Sequence, residues 1–139
     1  MLRIYTDGVY DMFHRGHLES FKEIKKLYPN CRIVVGLISD SDCESYKRVP
    51  IISQEDRFEI LKAIRYIDEV IFPAPLVLTN TFIVQNNLDV IVHGFADATD
   101  KDKQTDFFKI PIEMGIFQEI PYWKNQSTSQ IIQNITTRS

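Results

Sequence analysis

The sequence predicts an α/β fold: an open, parallel, five-stranded sheet with helices on both faces. Three observations lead there. Five short apolar runs, at 2–6, 32–38, 69–72, 89–93 and 117–120, alternate with stretches of helical periodicity at 16–28, 54–66, 79–87, 105–114 and 128–136. Such alternation implies βαβ units, whose strands run parallel through right-handed crossovers. The residues best suited to chemistry, Asp7-Gly8, Ser39-Asp40, His93-Gly94 and segment 121–129, each follow a candidate strand. Open α/β sheets bind ligands at that end of their strands.

Each element has its local cause. Leu2-Arg3-Ile4-Tyr5-Thr6 opens the first strand, and Asp7-Gly8 supplies a tight turn at its end. Leu18, Phe21, Ile24 and Leu27 recur at helical spacing, and Tyr28-Pro29-Asn30 stops that helix. Ile33 to Leu37 make the second strand. Segment 40–52 carries Lys47, Arg48 and Pro50 without apolar periodicity and reads as a mobile loop. Segment 94–105, rich in Asp97, Asp100, Lys101, Asp102 and Lys103, reads the same way. Ser53 caps the second helix, with Glu55 and Asp56 in its first turn. Ser127 and Thr128 open the last helix. At 139 residues, the chain 1–139 has the length of a single domain with a real core.

Composition narrows the function. The chain is 44% hydrophobic and 25% charged, as a globular protein is. Its net charge is −3 with no basic run, which disfavours nucleic acid as a partner. No apolar stretch approaches the roughly eighteen residues of a membrane span. Met1-Leu2-Arg3 enters a strand directly and does not read as a signal peptide. Cys31 and Cys43 lack metal-ligand spacing and read as two free thiols rather than a disulfide, which fits a cytoplasmic setting.

His14-Arg15-Gly16-His17 is the sharpest chemical signal. It holds two of the three histidines, three apart around a glycine, in the first strand-to-helix loop. A helix start presents free N–H groups and a positive dipole end. Two imidazoles beside it make a site for a polyphosphate. Gly16 lets the backbone approach an anion closely. Asp11, three residues before His14, is placed to orient an imidazole or to cap the helix. Two such histidines also occur as plain surface or core residues; their position after a strand favours the phosphate reading.

The stretch Asp7-Gly8-Val9-Tyr10-Asp11-Met12-Phe13-His14-Arg15-Gly16-His17 resembles the signature of the cytidylyltransferases that make CDP-choline, CDP-ethanolamine and CDP-glycerol. Ile33 to Asp40 resembles that family's second strand, and Tyr46-Lys47 its lysine loop. Glu55-Asp56-Arg57 and Arg65-Tyr66-Ile67-Asp68-Glu69-Val70 resemble further segments, as do Ala74-Pro75, Val92-His93-Gly94 and Ser127-Thr128-Ser129. The resemblance implies a Rossmann-like fold of the HxGH nucleotidyltransferase type and transfer of CMP from CTP to a small phosphorylated alcohol. It implies catalytic roles for His14, His17 and Lys47. It implies nucleotide contacts from Asp7, Gly8, Val9, Tyr10, Asp11, Gly16, Asp40, His93, Gly94, Tyr122, Lys124, Ser127, Thr128 and Ser129. Mg²⁺ would be held mainly by the triphosphate, with no ligand set from the chain.

Three departures accompany the resemblance. Tyr122 stands where the family has an arginine before its S-T motif, so a bidentate phosphate donor is missing. Lys124 is a candidate to supply that charge from a shifted position, and Trp123 a candidate to stack on the base. Leu76 replaces the tryptophan that boxes choline's ammonium. Gly94-Phe95 replaces an aspartate pair, with Asp97 nearby, and Phe108 replaces a tyrosine. Acceptor contacts are therefore assigned to Arg57, Leu76, Asp97 and Phe108. The resemblance favours phosphoethanolamine or phosphocholine as acceptor. The alternatives are glycerol 3-phosphate, an adenylyltransferase of the same fold, and a non-catalytic nucleotide-binding relative. The short chain resembles the stand-alone glycerol branch, which implies a homodimer with Arg65 to Val70 near its contact.

Overall fold

The computed structural model describes residues 1–123 and 127–138. The elements run β1 (Arg3–Gly8), α1 (Arg15–Leu27), β2 (Arg32–Leu37), α2 (Asp40–Tyr46), α3 (Gln54–Lys62), β3 (Glu69–Ile71), α4 (Asn80–Gln85), β4 (Val90–His93) and α5 (Ala98–Gln104). A 3₁₀ turn (Thr105–Phe108), α6 (Lys109–Glu113), β5 (Phe117–Glu119) and α7 (Thr128–Arg138) complete them. The five strands form one sheet in the order β3-β2-β1-β4-β5, and every pair is parallel.

Both faces of the sheet are covered, and successive strand residues serve opposite layers. Ile4, Ile33, Val35, Leu37 and Val92 pack with Phe21 and Ile24 of α1 and Leu61 of α3. Tyr5, Val34 and Ile91 pack on the other face with Ile83 of α4, Leu88 and Phe108. Most of these side chains are fully buried. Each contributes about 1.5–3 kcal/mol relative to an exposed position.

One device sets the register twice. The Asp68 carboxylate, just before β3, accepts from the N–H of Ile33 at 2.8 Å, and the Asp68 N–H donates to the Ile33 carbonyl. Asp89, just before β4, makes the same pair of bonds with Arg3. Each aspartate thus fastens the entry of a flanking strand to the start of its neighbour. The Arg65–Val70 segment owes part of its sequence to this structural duty.

The structure departs from the sequence expectation at two loops and two helices. Segments 40–52 and 94–105 each contain a short helix, α2 and α5. Ser39 caps α2 by accepting from Asp42 N, and Asp97 caps α5 by accepting from Asp100 N. Both helices are polar, so caps and first-turn carboxylates mark them where apolar periodicity does not. Helix α3 ends at Lys62, not at 66, because Ile64, Tyr66 and Ile67 turn in to pack against the core. The expected helix 105–114 is broken into a 3₁₀ turn and α6. Pro111 has no N–H to bond back and is tolerated only in a first helical turn, so α6 starts two residues before it. No described helix is long and apolar enough to cross a membrane.

Candidate active site

The β1–α1 loop is held in an unusual conformation. Tyr10 (φ 54°) and Met12 (φ 48°) are both left-handed, a region non-glycine residues seldom occupy. Buried Asp11 fixes this loop from within. Its carboxylate accepts from the backbone N–H of Ile51 at 2.8 Å and of Ile52 at 2.9 Å, and meets Arg48 Nη2 at 3.4 Å. The Thr128 hydroxyl at the start of α7 donates to the Asp11 carbonyl at 2.8 Å. Asp11 therefore neither caps α1 nor orients an imidazole. It fastens three segments together.

His14 itself is the N-cap of α1. Its Nδ1 accepts from Gly16 N at 3.0 Å, and His17 Nδ1 accepts from His14 N at 3.0 Å. The two bonds form a reciprocal capping box made of imidazoles in place of hydroxyl and carboxylate. An Nδ1 that accepts carries no proton, so each neutral ring bears its proton on Nε2. Burial lowers the pKa of His14 below its ordinary value. Burial, the neighbouring His14 and the Lys47 ammonium push His17 down to about 3. The rings stack with centroids 4.0 Å apart, and His17 also lies against Tyr10 and Phe13. The result is a pair of neutral imidazoles with N–H donors left over at a helix N-terminus.

Both histidines line a cavity of about 590 Å³ at the carboxyl ends of the strands. Asp7, Gly8, Val9, Tyr10 and Asp11 form one wall with Gly16. Lys47 and Arg48 follow α2, His93 and Gly94 follow β4, and Tyr122, Trp123, Ser127, Thr128 and Ser129 close the far side. His93 Nδ1 lies 3.3 Å from Asp7 Oδ1, its ring held between Phe95 and Phe108. Ser127 caps α7 by accepting from Gln130 N at 3.1 Å, so a second helix start faces the cavity. Trp123 lies under the Arg15 guanidinium, 5.0 Å from its ring centroid. A smaller hollow of about 260 Å³ adjoins the cavity through Tyr46, Lys47 and Asp100, and adds Asp97, Thr99 and Lys103.

A model of the cytidylyltransferase-like family matches residues 5–134. The chain belongs to this family. It is 34% identical over 134 residues to choline-phosphate cytidylyltransferase of Saccharomyces cerevisiae, covering 96% of this chain and 31% of that one. It is 31% identical over 134 residues to choline-phosphate cytidylyltransferase A of Rattus norvegicus, covering 96% and 36%. It is 29% identical over 130 residues to a probable ethanolamine-phosphate cytidylyltransferase of Encephalitozoon cuniculi, covering 94% and 39%. The chain therefore spans 31–39% of the length of these relatives. Among solved structures, a lipopolysaccharide core biosynthesis protein from Thermoplasma volcanium shares the fold. Its TM-score is 0.69 at 23% identity, covering 89% of this chain and 99% of that one.

Several residues expected at the site lie elsewhere in this cytidylyltransferase-like chain. Arg57 is buried beneath the loops, not among acceptor contacts. It donates to the carbonyls of Val9, Ile38 and Ile52 and pairs with Asp40 at 2.5 Å. Asp40 is thereby spent on Arg57 and on Gln54, and does not line the cavity. Leu76 packs against the small cluster of Val9, Ile38, Cys43 and Ala74, away from the cavity. Phe108 is buried behind His93, which it supports without facing the cavity. Asp97 lines the smaller hollow only. Lys124 lies outside the described residues.

The cavity also holds residues the motifs did not single out. Thr6, Ser20, Arg48, Asp100 and Gln104 are among its lining. Arg48 and Asp100 lie in the two segments read as loops, where only their charge was visible. The cavity's carboxylates do not fit a protein-held divalent ion. Asp11 is engaged by backbone amides, Asp7 faces His93, and Asp100 accepts from Ala96 N and Gln104 Nε2. Among the described residues no three potential ligands cluster as a metal site.

Proposed function

We propose that residues 1–139 act as one cytidylyltransferase catalytic domain, transferring CMP from CTP to a small phosphorylated alcohol. The single observation that carries this reading is the capping box of two neutral imidazoles at the start of α1, inside the cavity. An acceptor phosphate oxygen attacks the α-phosphorus of CTP. The bond from that phosphorus to the bridging oxygen breaks, and pyrophosphate leaves with the electron pair. The chain needs no covalent step, so positioning and charge stabilisation dominate. The Nε2–H groups of His14 and His17 donate to the phosphates as charge moves onto the leaving group. Neutral rings suit this task, since donating a hydrogen bond needs an N–H and not a net charge. Lys47 adds a positive charge beside His17, and the positive dipole ends of α1 and α7 face the cavity. We assign magnesium to the triphosphate and its water, not to protein ligands.

Phosphoethanolamine and phosphocholine are the favoured acceptors. The smaller hollow carries Asp97 and Asp100 beside Lys47 and Lys103, a lining suited to one molecule with a cationic and an anionic end. The relatives named for choline phosphate and ethanolamine phosphate support the same choice. Cys31 and Cys43 are free and buried, in keeping with a cytoplasmic setting. A homodimer is part of the proposal: β3 is an edge strand, and Arg65 beside it is exposed. Light scattering at micromolar concentration checks it, with twice the chain mass expected and a monomer contradicting it.

Pyrophosphate release from CTP across phosphoethanolamine, phosphocholine and glycerol 3-phosphate tests the acceptor. Release with one of the two amines is expected. Release with glycerol 3-phosphate alone would move the enzyme to the glycerol branch. No release with any of them, from folded protein that binds CTP, would leave a nucleotide binder.

A further inference from the structure

Arg48 has a setting that no structural duty accounts for. It lines the cavity beside Lys47, yet among the described residues its guanidinium has one polar partner, Asp11, at a long 3.4 Å. Asp11 is already served by two shorter bonds from Ile51 N and Ile52 N. Its charge is therefore largely answered without Arg48. Arg48 Nε is buried and has no hydrogen-bond partner among the described residues. A buried donor without an acceptor is destabilising, so its retention calls for a cause beyond packing. Arg57 shows the contrast. That guanidinium is also close to the loop, but four acceptors use it. Across the same cavity stands Tyr122, whose phenol carries no positive charge.

We propose that Arg48 is a triphosphate-binding residue, its guanidinium fork closing on the pyrophosphate portion of CTP. This inference rests on the nucleotidyl-transfer reading above. Asp11 holds the guanidinium from behind by one nitrogen, leaving the side chain in place but its donors unfilled. A phosphate arriving at the cavity supplies the acceptors, and a planar fork binds two phosphate oxygens at once. The arrangement puts a guanidinium on the α2–α3 loop in a cavity that has tyrosine at position 122. Arg48 and Lys47 are consecutive, so one loop delivers two cations to the leaving group, where negative charge accumulates during transfer.

The test compares CTP with CMP, which share base, ribose and α-phosphate. Binding is measured by calorimetry for the wild type, Arg48→Gln, Arg48→Lys and the double variant Arg48→Gln/Tyr122→Arg. The Gln variant is expected to weaken CTP about tenfold or more, as loss of a charge-assisted fork does, while CMP changes by less than about twofold. Lysine, which keeps the charge without the fork, should fall between. Tyr122→Arg should restore CTP affinity in the Gln variant by more than it raises that of the wild type, because neighbouring donors to one group are not additive. Equal weakening of CTP and CMP, or none for CTP, would overturn the inference. If Arg48→Gln does not fold, Arg48→Lys decides: selective loss for CTP supports the assignment, and unchanged CTP affinity overturns it. Wild-type protein that fails to bind CTP at all would instead remove the nucleotidyl-transfer reading on which this rests.

Discussion

A histidine that caps a helix with one ring nitrogen keeps the other for a ligand. That division of labour makes the roles of His14 and His17 separable by substitution. Asparagine carries an acceptor close to the Nδ1 position and is a favoured N-cap residue, but it offers nothing where Nε2–H stands. His14→Asn is therefore expected to keep stability within about 1 kcal/mol, and both His14→Asn and His17→Asn to lower turnover about a hundredfold or more. Thermal melts and single-turnover rates check both. Unchanged turnover in folded variants would show that the imidazoles only cap. The depressed pKa of His17 has a second consequence. Above pH 6.5 the ring is neutral in folded and unfolded chains alike and contributes no pH dependence. As pH falls from about 6.5 toward 3, the unfolded chain binds a proton that the native ring refuses, so stability drops across that window. The drop should be shallower in His17→Asn. Denaturation midpoints at pH 7, 5 and 4 measure it, and identical slopes would contradict the burial of that ring.

At the scale of elements, the loops that shape the cavity are braced by two buried polar residues, Asp11 and Arg57. Arg57, in the first turn of α3, gathers the carbonyls of Val9, Ile38 and Ile52 with Asp40. Arg57→Ala should cost about 3 kcal/mol or more, because it strands buried acceptors. Urea denaturation reads this directly. A variant of native stability that loses only acceptor affinity would return Arg57 to the binding site. This is also where sequence reading runs out. The E-D-R segment and its place in a helix were legible, but not the direction in which Arg57 points. Asp11 was misread because its partners lie some forty residues downstream. Strands were legible because β-branched runs with both faces buried have few other uses. Helices α2 and α5 were not, because short polar helices owe their existence to a cap and to what they pack on. Arg48 carried no motif, and its unfilled donors exist only in three dimensions.

For the whole molecule, sheet order and site location follow from one rule. Parallel strands put every connecting loop that leaves a carboxyl end on the same side, so segments 7–17, 47–52, 93–100, 121–123 and 127–129 converge although they are far apart in sequence. The order β3-β2-β1-β4-β5 places β1 at the centre, and its following loop carries the two histidines at the heart of the cavity. The chain matches about a third of the length of the three curated relatives named above. The most direct measurement follows the α-phosphorus. CTP labelled at that atom is incubated with the protein, Mg²⁺ and phosphoethanolamine or phosphocholine, beside the His17→Asn variant. Label passing into a CDP-alcohol, with pyrophosphate in equal amount and both lost together in the variant, is the expected result. Label that stays in CTP with every acceptor, or appears only as CMP, would contradict transfer at this site.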